Sequence, residues 1–477
     1  MSKIEVASAA RRGGQTKIDA SQLERFALNF RGELLKPGDA GYDQARSIWN
    51  AMIDRKPALI ARCRGVADVR AAVNFARENS LLVAVKGGGH NIAGNAVCDG
   101  GLMIDLSLMR SVRIEPDARI AHVEPGATLG DFDREAQAFG LATPLGINST
   151  TGVSGLALGG GFGWLTRKYG MTVDNLIAAD VVTADGKFIH AGEKSHPDLF
   201  WAVRGGSGNF GIVTRWEFKL YPVGPEVYVG LVVYSLDDAK QVLAKYRQFV
   251  AKADDNTSVW IVLRQAPPLP FLDEKYHGKD IVVFACFHPG SQADAQKAYE
   301  PVRQFAKPIG EFLGLQPYSA WQTLLDPMLT PGARNYWKSH NFAEISDGLA
   351  EVLIKYAKMI PYPETEIAMA CLGGAASRVS PSATAYPHRH AVHVMNVHGR
   401  WREASDDDKC ISWARNLFKD TAQFSSGGVY VNFLTQEETG ERVKTAFGTN
   451  YERLLKAKKK YDPQNLFCMN QNISPEE

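Results

Sequence analysis

Two glycine-rich segments constrain the fold of this chain more than any other feature of its sequence. The first, residues 86–91, reads Lys-Gly-Gly-Gly-His-Asn and directly follows the apolar run at residues 82–85. Glycines at the end of a strand allow successive backbone N–H groups to converge on one anion, such as a pyrophosphate, although an ordinary tight turn has the same composition. The second, residues 146–163, contains little charge or proline, so we expect a tightly folded loop that a flat or extended ligand can approach closely.

Hydrophobic periodicity on both sides of the first segment predicts an α/β arrangement. An apolar run at residues 58–61 is followed by apolar residues at helical spacing between 69 and 76, and then by the run at 82–85. This order of strand, helix and strand is typical of a βαβ unit. The other elements predicted nearby are strands at 102–104, 120–123 and 216–221, a hairpin at 177–190, and a helix that Thr128 caps and Gly140 ends.

The pattern changes after Pro222. Alternating strands, predicted at 227–233, 259–263 and 281–287, are separated by amphipathic helices without a glycine-rich loop. Beyond residues 425–428 the sequence again has the character of the first half. The chain is therefore predicted to contain one domain that is split in sequence, with a second domain between its two parts.

Composition argues against several kinds of partner. The formal net charge is only +2, and the lysine-rich run at 456–460 has no interleaved aromatic residues, so it is predicted to be a solvated helix face rather than a nucleic-acid surface. The absence of any run of about 18 apolar residues argues against a membrane span. The first residues lack the apolar stretch of a secretory signal, and the six cysteines form no CxxC pair. We therefore expect a soluble cytoplasmic protein without a zinc ribbon or a disulfide framework.

Two other cofactor classes are disfavoured by the context of their motifs. Residues 206–211 read Gly-Ser-Gly-Asn-Phe-Gly and match the dinucleotide fingerprint of nicotinamide enzymes. That fingerprint must open a helix, whereas residues 212–218 alternate like a strand. His388, His390 and His393 suggest a metal site, but on a strand His393 would point away from the other two, and no cysteine or carboxylate completes the set. No metal is expected, and these histidines are predicted to be structural or to contact substrate.

Four separated segments together resemble one flavoprotein family. Residues 87–106, 151–170, 198–211 and 461–472 contain, in that order, Gly-Gly-Gly-His-Asn, Gly-Gly-Gly-Phe-Gly-Trp, Asp-Leu-Phe-Trp-Ala-Val-Arg-Gly-Gly and Tyr-Asp-Pro. Each motif alone is weak, and it is their order along the chain that carries the resemblance. The chain resembles the berberine-bridge-enzyme-like branch of the vanillyl-alcohol-oxidase/PCMH superfamily.

The resemblance implies an α+β fold with a PCMH-type FAD-binding domain of two α/β subdomains, formed by residues 1–222 and 426–477. Residues 223–425 would form a substrate-binding domain, in which helices cover an antiparallel sheet. FAD would lie at the domain junction, where cofactor pockets are common. The implied activity is the oxidation of a small alcohol, sugar, amine or secondary metabolite by hydride transfer to flavin N5, with O2 as acceptor and H2O2 as product.

The resemblance also implies which residues hold the cofactor. His90 would be joined to the 8α carbon of FAD, although its spacing alone favours a histidine that hydrogen-bonds the loop. Asn148 stands where many relatives have a second, cysteinyl link, so a single link is expected, and Thr151 stands where side-chain bulk governs access of oxygen. The residues expected to contact FAD are His90, Lys86, Gly87, Gly88, Gly89, Asn91, Thr151, Gly152, Val153, Gly155, Gly159, Gly160, Gly161, Gly163, Tyr169, Gly208, Ile212, Tyr430, Asn470 and Asn472.

For catalysis the sequence predicts Tyr430, assisted by Asn432 and His398. Residues 427–433 alternate like a strand, so Tyr430 and Asn432 are expected to face the same way, and in the family a tyrosine followed two residues later by asparagine lies close to the flavin. A free tyrosine has a pKa of roughly 10, so a proton-accepting Tyr430 needs a lower pKa, from the flavin or from a cation such as His398 or Lys338. Three alternatives stay open: a tyrosine that only orients the substrate, a dehydrogenase with another electron acceptor, and a flavin-binding module without catalysis.

Overall fold

The computed structural model describes residues 6–9 and 13–476, and the strands in these residues form five sheets. The strands are β1 Val6–Ala9, β2 Gln15–Ile18, β3 Glu33–Leu35, β4 Leu59–Arg62, β5 Val83–Lys86, β6 Leu102–Asp105, β7 Val112–Glu115, β8 Ile120–Val123, β9 Leu141–Ala142, β10 Leu176–Val182, β11 Phe188–Gly192, β12 Ile212–Lys219, β13 Tyr221–Pro222, β14 Glu226–Ser235, β15 Ser258–Gln265, β16 Asp280–His288, β17 Gly310–Pro317, β18 Arg334–Phe342, β19 Glu366–Cys371 and β20 His393–Trp401. The α-helices are α1 Ala20–Leu28, α2 Tyr42–Arg46, α3 Val66–Glu78, α4 Leu129–Gln137, α5 Val153–Leu158, α6 Thr166–Tyr169, α7 Pro197–Val203, α8 Ala239–Val250, α9 Gln292–Arg303, α10 Tyr318–Gln322, α11 Asp347–Ala357, α12 Gly374–Arg378, α13 Asp407–Thr421, α14 Glu441–Phe447 and α15 Tyr451–Tyr461. None of these helices, in the part of the chain that is described, has the length and apolar composition that a membrane span requires.

The first glycine-rich segment follows a strand of a small, mostly parallel sheet. Its order is β3-β4-β6-β5, in which β4 and β5 both run parallel to β6, and β3 is antiparallel at the edge. α3 connects β4 to β5 and buries Val69, Ala72, Val73 and Ala76 in the core that the strands share. The predicted βαβ unit is confirmed, and residues 87–91 leave directly from the end of β5.

A five-stranded antiparallel sheet forms next, in the order β11-β10-β12-β8-β7. β10 and β11 make the predicted hairpin, and β12 begins at Ile212, directly after residues 206–211. A nicotinamide fingerprint would open a helix at that point, so the strand confirms that this motif is not one. The side chain of Thr128 accepts a hydrogen bond from the backbone N–H of Asp131 and caps α4, which ends shortly before Gly140, as predicted.

The middle of the chain forms a seven-stranded sheet in which every neighbouring pair is antiparallel, in the order β17-β14-β16-β15-β19-β20-β18. Helices α8, α9, α11 and α13 pack on one face and share its hydrophobic core. The opposite face carries Trp260, Ala370 and Val394, which lie in one core with Val153 and Tyr430 from the flanking parts of the chain. The predicted α+β class, with a helix-covered antiparallel sheet, is confirmed.

The C-terminal residues pack against the first part of the chain. Leu434 and Leu454 belong to the same core as Val153 of α5, and Leu466 and Phe467 pack in the core around β4 and β6. This arrangement agrees with a domain that is split in sequence. The domain boundaries themselves stay predictions.

The prediction that the lysine-rich run is a solvated helix face is wrong for one residue. Lys458 of α15 is fully buried, and its Nζ lies 2.7 Å from Asp462 Oδ2 and 3.0 Å from the backbone oxygens of both Asn209 and Phe467. Burial lowers the pKa of Lys458, and the Asp462 carboxylate opposes that shift. The other lysines of the run are exposed as predicted. Lys458 therefore ties the end of the chain to the loop that contains Asn209.

Candidate active site

A cavity lies between the seven-stranded sheet and the glycine-rich loops. The volume of this cavity is about 340 Å³. Residues drawn from the segments 87–91, 146–156, 207–213 and 467–471 line one part, and side chains of β15, β18, β19 and β20 line another. The cavity therefore occupies the junction between the two parts of the fold, which is where the family resemblance implies the cofactor.

The loop at residues 87–91 presents free hydrogen-bond donors. The backbone N–H groups of residues 88–91 donate to no acceptor within the described part of the chain. Gly89 has a φ of +73°, a conformation that helps successive N–H groups to converge. A Cβ on Gly88 would lie only 2.4 Å from the backbone nitrogen of Gly152, so the two glycine-rich loops touch backbone to backbone. This contact requires glycine and leaves the donors of the first loop for a ligand.

Two further glycines leave room along the cavity wall. A Cβ on Gly155 or on Gly208 would have no neighbouring atom within 4 Å, and both residues line the cavity. Next to Gly208, Asn470 donates its Nδ2–H to the Gly208 oxygen at 2.8 Å, while its Oδ1 is buried and has no partner within the described residues. Free N–H groups, an unpaired amide oxygen and open space above glycine fit an extended, polar cofactor such as FAD.

His90 lies at the end of the first loop and faces into the cavity. Its Nε2 is 2.9 Å from Thr150 Oγ1, its Nδ1 is 3.5 Å from Thr151 Oγ1, and the Trp49 ring stacks on it at a centroid distance of 5.1 Å. Burial lowers the pKa of His90 to about 4, so the imidazole is neutral at physiological pH. A neutral ring with a hydroxyl at each nitrogen can act as a nucleophile or as a hydrogen-bonding group.

Asn148 lines the same region and carries no sulfur. Its Oδ1 accepts hydrogen bonds from the backbone N–H of Thr150 at 3.0 Å and from Thr150 Oγ1 at 2.8 Å, which holds the loop beside His90. Within the described residues no cysteine lines the cavity. Cys98 is buried elsewhere, and burial raises the pKa of its thiol to about 12, so its thiolate is scarce at neutral pH.

Tyr430 and Asn432 meet, but the predicted strand at 427–433 is wrong. Residues Val431–Phe433 form a single 3₁₀ turn, in which the backbone N–H of Phe433 donates to the backbone carbonyl oxygen of Tyr430 at 2.9 Å. The turn folds Asn432 back, so that its Nδ2–H donates to Tyr430 Oη at 3.0 Å. The backbone N–H of Gly161 donates to the same oxygen at 3.2 Å. Both residues line the cavity, although local turn geometry rather than strand alternation brings them together.

Among the described residues, no lysine or arginine lines the cavity around Tyr430. Burial raises the pKa of Tyr430 to about 12, against the opposing effect of the Asn432 and Gly161 hydrogen bonds. Lys338 lies outside the cavity wall, where its Nζ is 2.7 Å from a Glu437 carboxylate oxygen and 3.4 Å from one of Glu438. The suggestion that Lys338 lowers the Tyr430 pKa is therefore wrong, because its charge is already paired with two carboxylates.

The predicted cofactor contacts divide into two groups. Those that line the cavity are His90, Gly87, Gly88, Gly89, Asn91, Thr151, Gly152, Gly155, Gly208, Ile212, Tyr430 and Asn470. Those outside its wall are Lys86, Val153, Gly159, Gly160, Gly161, Gly163, Tyr169 and Asn472.

Several residues of the second group contact other parts of the protein instead. Lys86 Nζ donates to the Ala45 oxygen at 2.6 Å, and the Tyr169 ring stacks on Tyr221 at 3.9 Å. A Cβ on Gly159 would lie 2.3 Å from Asn432 Oδ1. The glycines at 159–163 of the second segment thus let other parts of the protein pack closely, including the Tyr430–Asn432 turn, whereas Gly152 and Gly155 of the same segment line the cavity.

Sequence reasoning missed Glu366, which the register of the sheet brings to the cavity. Glu366 of β19 lies directly opposite His398 of β20, and His398 Nδ1 is 3.2 Å from Glu366 Oε1. His398 also packs edge-on against Trp337, at a centroid distance of 4.9 Å. All three line the cavity, so His398 reaches the site as predicted but in contact with Glu366 and Trp337. Nothing near Glu366 in the sequence marks it, because the pairing of β19 with β20 creates the contact.

The three histidines of the 388–393 segment have separate partners. His388 Nε2 is 2.9 Å from the Ala446 oxygen, and His393 Nε2 is 3.2 Å from Tyr246 Oη. Within residues 6–9 and 13–476, no cluster of three or more potential metal ligands occurs. His390 is exposed, and its Nε2 is 3.3 Å from the Ser426 oxygen. His388 and His393 are buried and hold a backbone oxygen and a tyrosine hydroxyl in place.

Comparison with known proteins supports the assignment of this cavity to FAD. Residues 57–192 match the family described as "FAD binding domain", and residues 429–474 match the one described as "Berberine and berberine like". The chain is 30% identical to the uncharacterised FAD-linked oxidoreductase YgaK of Bacillus subtilis, with 93% of this chain and 97% of the relative covered. It is also 30% identical to (R)-6-hydroxynicotine oxidase of Paenarthrobacter nicotinovorans, over 94% of this chain and 98% of the relative.

A solved structure has the same fold as this chain over nearly its whole length. The crystal structure of 6-hydroxy-D-nicotine oxidase from Arthrobacter nicotinovorans matches with a TM-score of 0.84 at 30% identity, covering 94% of this chain and 99% of that one. The matched families include both the segment with His90 and the segment with Tyr430. This chain is an FAD-dependent oxidoreductase that belongs to the berberine bridge enzyme-like family.

Proposed function

We propose that the protein is an oxidase that holds FAD through a single covalent bond from His90 to the 8α carbon of the flavin. Bound FAD would supply the two-electron chemistry, by accepting a hydride at N5 from a small organic substrate. The acceptor of the electrons would be O2, with H2O2 as product. The observation that carries the proposal is a neutral, cavity-facing His90 at the end of a loop whose N–H groups at residues 88–91 find no acceptor among the described residues.

The surroundings of His90 support a single link. A neutral imidazole has the lone pair that a C–N bond to the 8α carbon requires, and a pKa of about 4 keeps the ring neutral above that pH. The C–H bond that this C–N bond replaces would be lost as a proton, its electron pair would reduce the flavin, and O2, the proposed acceptor, would reoxidise it. Asn148 offers no sulfur nucleophile, and among the described residues no cysteine lines the cavity. Thr151 lines the cavity beside His90, and its small side chain supports a path for oxygen.

A spectroscopic assay tests the oxidase function. Purified holoenzyme is mixed anaerobically with a panel of alcohols, sugars and amines, and the flavin absorbance is recorded before and after air is admitted. We expect at least one compound to bleach the flavin, and air to restore the colour with one H2O2 per flavin. Recovery only with an artificial acceptor would identify a dehydrogenase, and a flavin that no compound bleaches would identify a module without catalysis.

Tyr430 is proposed to orient the substrate by donating its own O–H. Its oxygen already accepts two hydrogen bonds, from Asn432 and Gly161, and a phenol with a pKa of about 12 keeps its proton at neutral pH. In Tyr430→Phe we expect flavin to stay bound while its anaerobic reduction slows by about 10- to 100-fold, the effect of losing one strong hydrogen bond. The reduction rate should not depend on the ionisation of Tyr430 between pH 6 and 9.

A Tyr430 that accepts the substrate proton would give a different pH dependence and a larger effect of Tyr430→Phe, and Tyr386→Phe provides the control. If the Tyr430 phenolate accepts the proton, the wild-type rate rises about tenfold per pH unit below the pKa, and Tyr430→Phe slows reduction by about 10²- to 10⁴-fold. Tyr386 is a matched control, because its ring lies 6.4 Å from that of Tyr430 and its hydroxyl is buried without a partner in the described structure. Since Tyr386 does not line the cavity, Tyr386→Phe should leave the reduction rate unchanged.

A further inference from the structure

A second cavity lies outside the proposed flavin site, in a cleft between α4 and α10. The volume of this α4–α10 cleft is about 320 Å³. Asp133 of α4 and Gln322 of α10 line it, together with Ser149 of the second glycine-rich segment. None of these three residues lines the larger cavity. The cleft is therefore a separate place on the molecule, which the proposed oxidation does not use.

Asp133 is a buried carboxyl group without a cationic partner. Only 3% of the residue is exposed, and Gln322 Nε2–H donates to its Oδ2 at 2.9 Å. Burial raises the pKa of Asp133 to about 7, and this hydrogen bond opposes the shift only in part. Arg134 also lines the cleft, but no positive charge among the described residues lowers the Asp133 pKa. Burying a carboxylate without a counter-charge is costly, so a cation beside Asp133 would be stabilising.

Two oxygens of the residues that line the cleft lack hydrogen-bond donors. Asp133 Oδ1 and Gln322 Oε1 are both buried and have no partner in the part of the chain that is described. Gln322 Nε2 also donates to the backbone oxygen of Gly146 at 3.1 Å. Because that oxygen can only accept, the end of the amide without a partner is its oxygen. Buried acceptors without donors are rare and indicate an occupant that supplies positive charge or N–H groups.

The side chains of the cleft favour an occupant with a single positive charge. Asp133 is the only carboxylate among the described residues that line it, and Gln322, Ser149 and Ser319 offer neutral oxygens. Sites for Ca²⁺ usually combine several carboxylates, and no cluster of three or more histidine, cysteine or acidic side chains occurs within residues 6–9 and 13–476. Neutral oxygens with one carboxylate suit potassium-like ions, or an ammonium ion that donates to the same oxygens.

We propose that the α4–α10 cleft binds a compact monovalent cation, an alkali ion or an ammonium ion, between Asp133 and Gln322. The cation supplies the charge that Asp133 lacks and takes both unpartnered oxygens as ligands. It would also link α4 and α10 to the loop that borders the larger cavity. Gln322 already bonds to Gly146 of that loop, and Gly146 lines the larger cavity.

Equilibrium dialysis of the holoenzyme with two radioactive probes tests the proposal. Rubidium stands for the alkali ions and methylammonium for the ammonium ions, at pH 8, where Asp133 is mostly ionised. Choline chloride keeps the ionic strength constant, because choline is bulky and has no N–H group. We expect one ion of at least one probe to bind per chain, with a Kd of about 1 mM or below. The probe that binds more tightly identifies the class of cation.

Asp133→Asn keeps the shape of the side chain and removes its charge. We expect this variant to weaken binding of the tighter probe by at least about 10-fold. Gln322→Met removes the other oxygen and gives the same test if Asp133→Asn does not fold.

Glu135→Gln is the matched control. Glu135 lies two residues after Asp133 on α4, but it is exposed and does not line the cleft, so the same loss of charge should change the Kd by less than about twofold. No saturable binding of either probe, or binding that is equally strong in folded Asp133→Asn and in Glu135→Gln, would overturn the proposal. Flavin content and substrate oxidation do not enter these measurements, so their outcome is independent of the proposed oxidase function.

Discussion

Replacing His90 with alanine is expected to abolish covalent attachment of the flavin completely. The ring nitrogens of His90 lie beside Thr150 and Thr151 and face the cavity, next to a loop whose N–H groups donate to no acceptor in the described structure. In His90→Ala any flavin that binds should be released into the supernatant by acid precipitation, and the protein band on a denaturing gel should not fluoresce. Wild-type protein should keep its flavin through both treatments.

The flavin that His90→Ala retains should also be a weaker oxidant. Replacing a C–H bond at the 8α carbon with an electron-withdrawing C–N bond raises the oxidising power of the ring, so loss of the bond should slow flavin reduction. Cys468→Ser is the control, because Cys468 does not line the cavity and its sulfur is expected to form no link. Covalent flavin that persists in His90→Ala would place the attachment at another residue.

Replacing Lys458 with methionine is expected to destabilise the protein by about 3–5 kcal/mol. Methionine keeps the apolar length of the side chain but removes the charge, and Asp462, which is also fully buried, then loses its cation. The Asn209 and Phe467 oxygens lose a donor as well. The midpoint of urea unfolding, followed by tryptophan fluorescence, should fall accordingly.

Lys459→Met is the matched control for this prediction. Lys459 is the next residue of α15, but it is exposed, so its substitution should change the free energy of unfolding by no more than about 0.5 kcal/mol. If the two variants unfold at the same urea concentration, Lys458 does not tie the end of the chain to the loop at Asn209.

Local patterns in the sequence were sufficient for much of the fold. The βαβ unit around α3, the Thr128 cap and the β10–β11 hairpin each depend on residues close together in the chain, and all three are confirmed. The strand after the glycine motif at 206–211 is also predictable from the sequence, since the alternation of residues 212–218 is a local signal, and β12 confirms it.

Features that depend on tertiary contacts could not be predicted in this way. Lys458 lies in a run of lysines, and only the packing of α15 distinguishes the buried residue from its exposed neighbours. Tyr430 and Asn432 are spaced as residues on one face of a strand, yet no strand in the described part of the chain pairs with them, and a 3₁₀ turn forms instead. Glu366 becomes part of the site only because β19 pairs with β20 in one register.

The candidate site was therefore predicted best where the backbone itself makes the contact. Gly88 and Gly152 lie at the point where the two loops touch, and the need for glycine there is visible in the sequence as a cluster. Gly159 belongs to a similar cluster, but there glycine is required because the side chain of Asn432 packs against it, and Asn432 lies more than half the chain away in sequence. Composition alone does not distinguish a glycine that faces a ligand from one that faces another part of the protein.

Peptide mapping of the wild-type holoenzyme tests the covalent link most directly. The protein is digested under denaturing conditions, the fluorescent peptides are isolated, and their masses and fragment ions are assigned. We predict one flavin-bearing peptide, with the modification on His90 and none on any cysteine. An unmodified His90 peptide together with free FAD, or a flavin attached to a cysteine, would contradict the account.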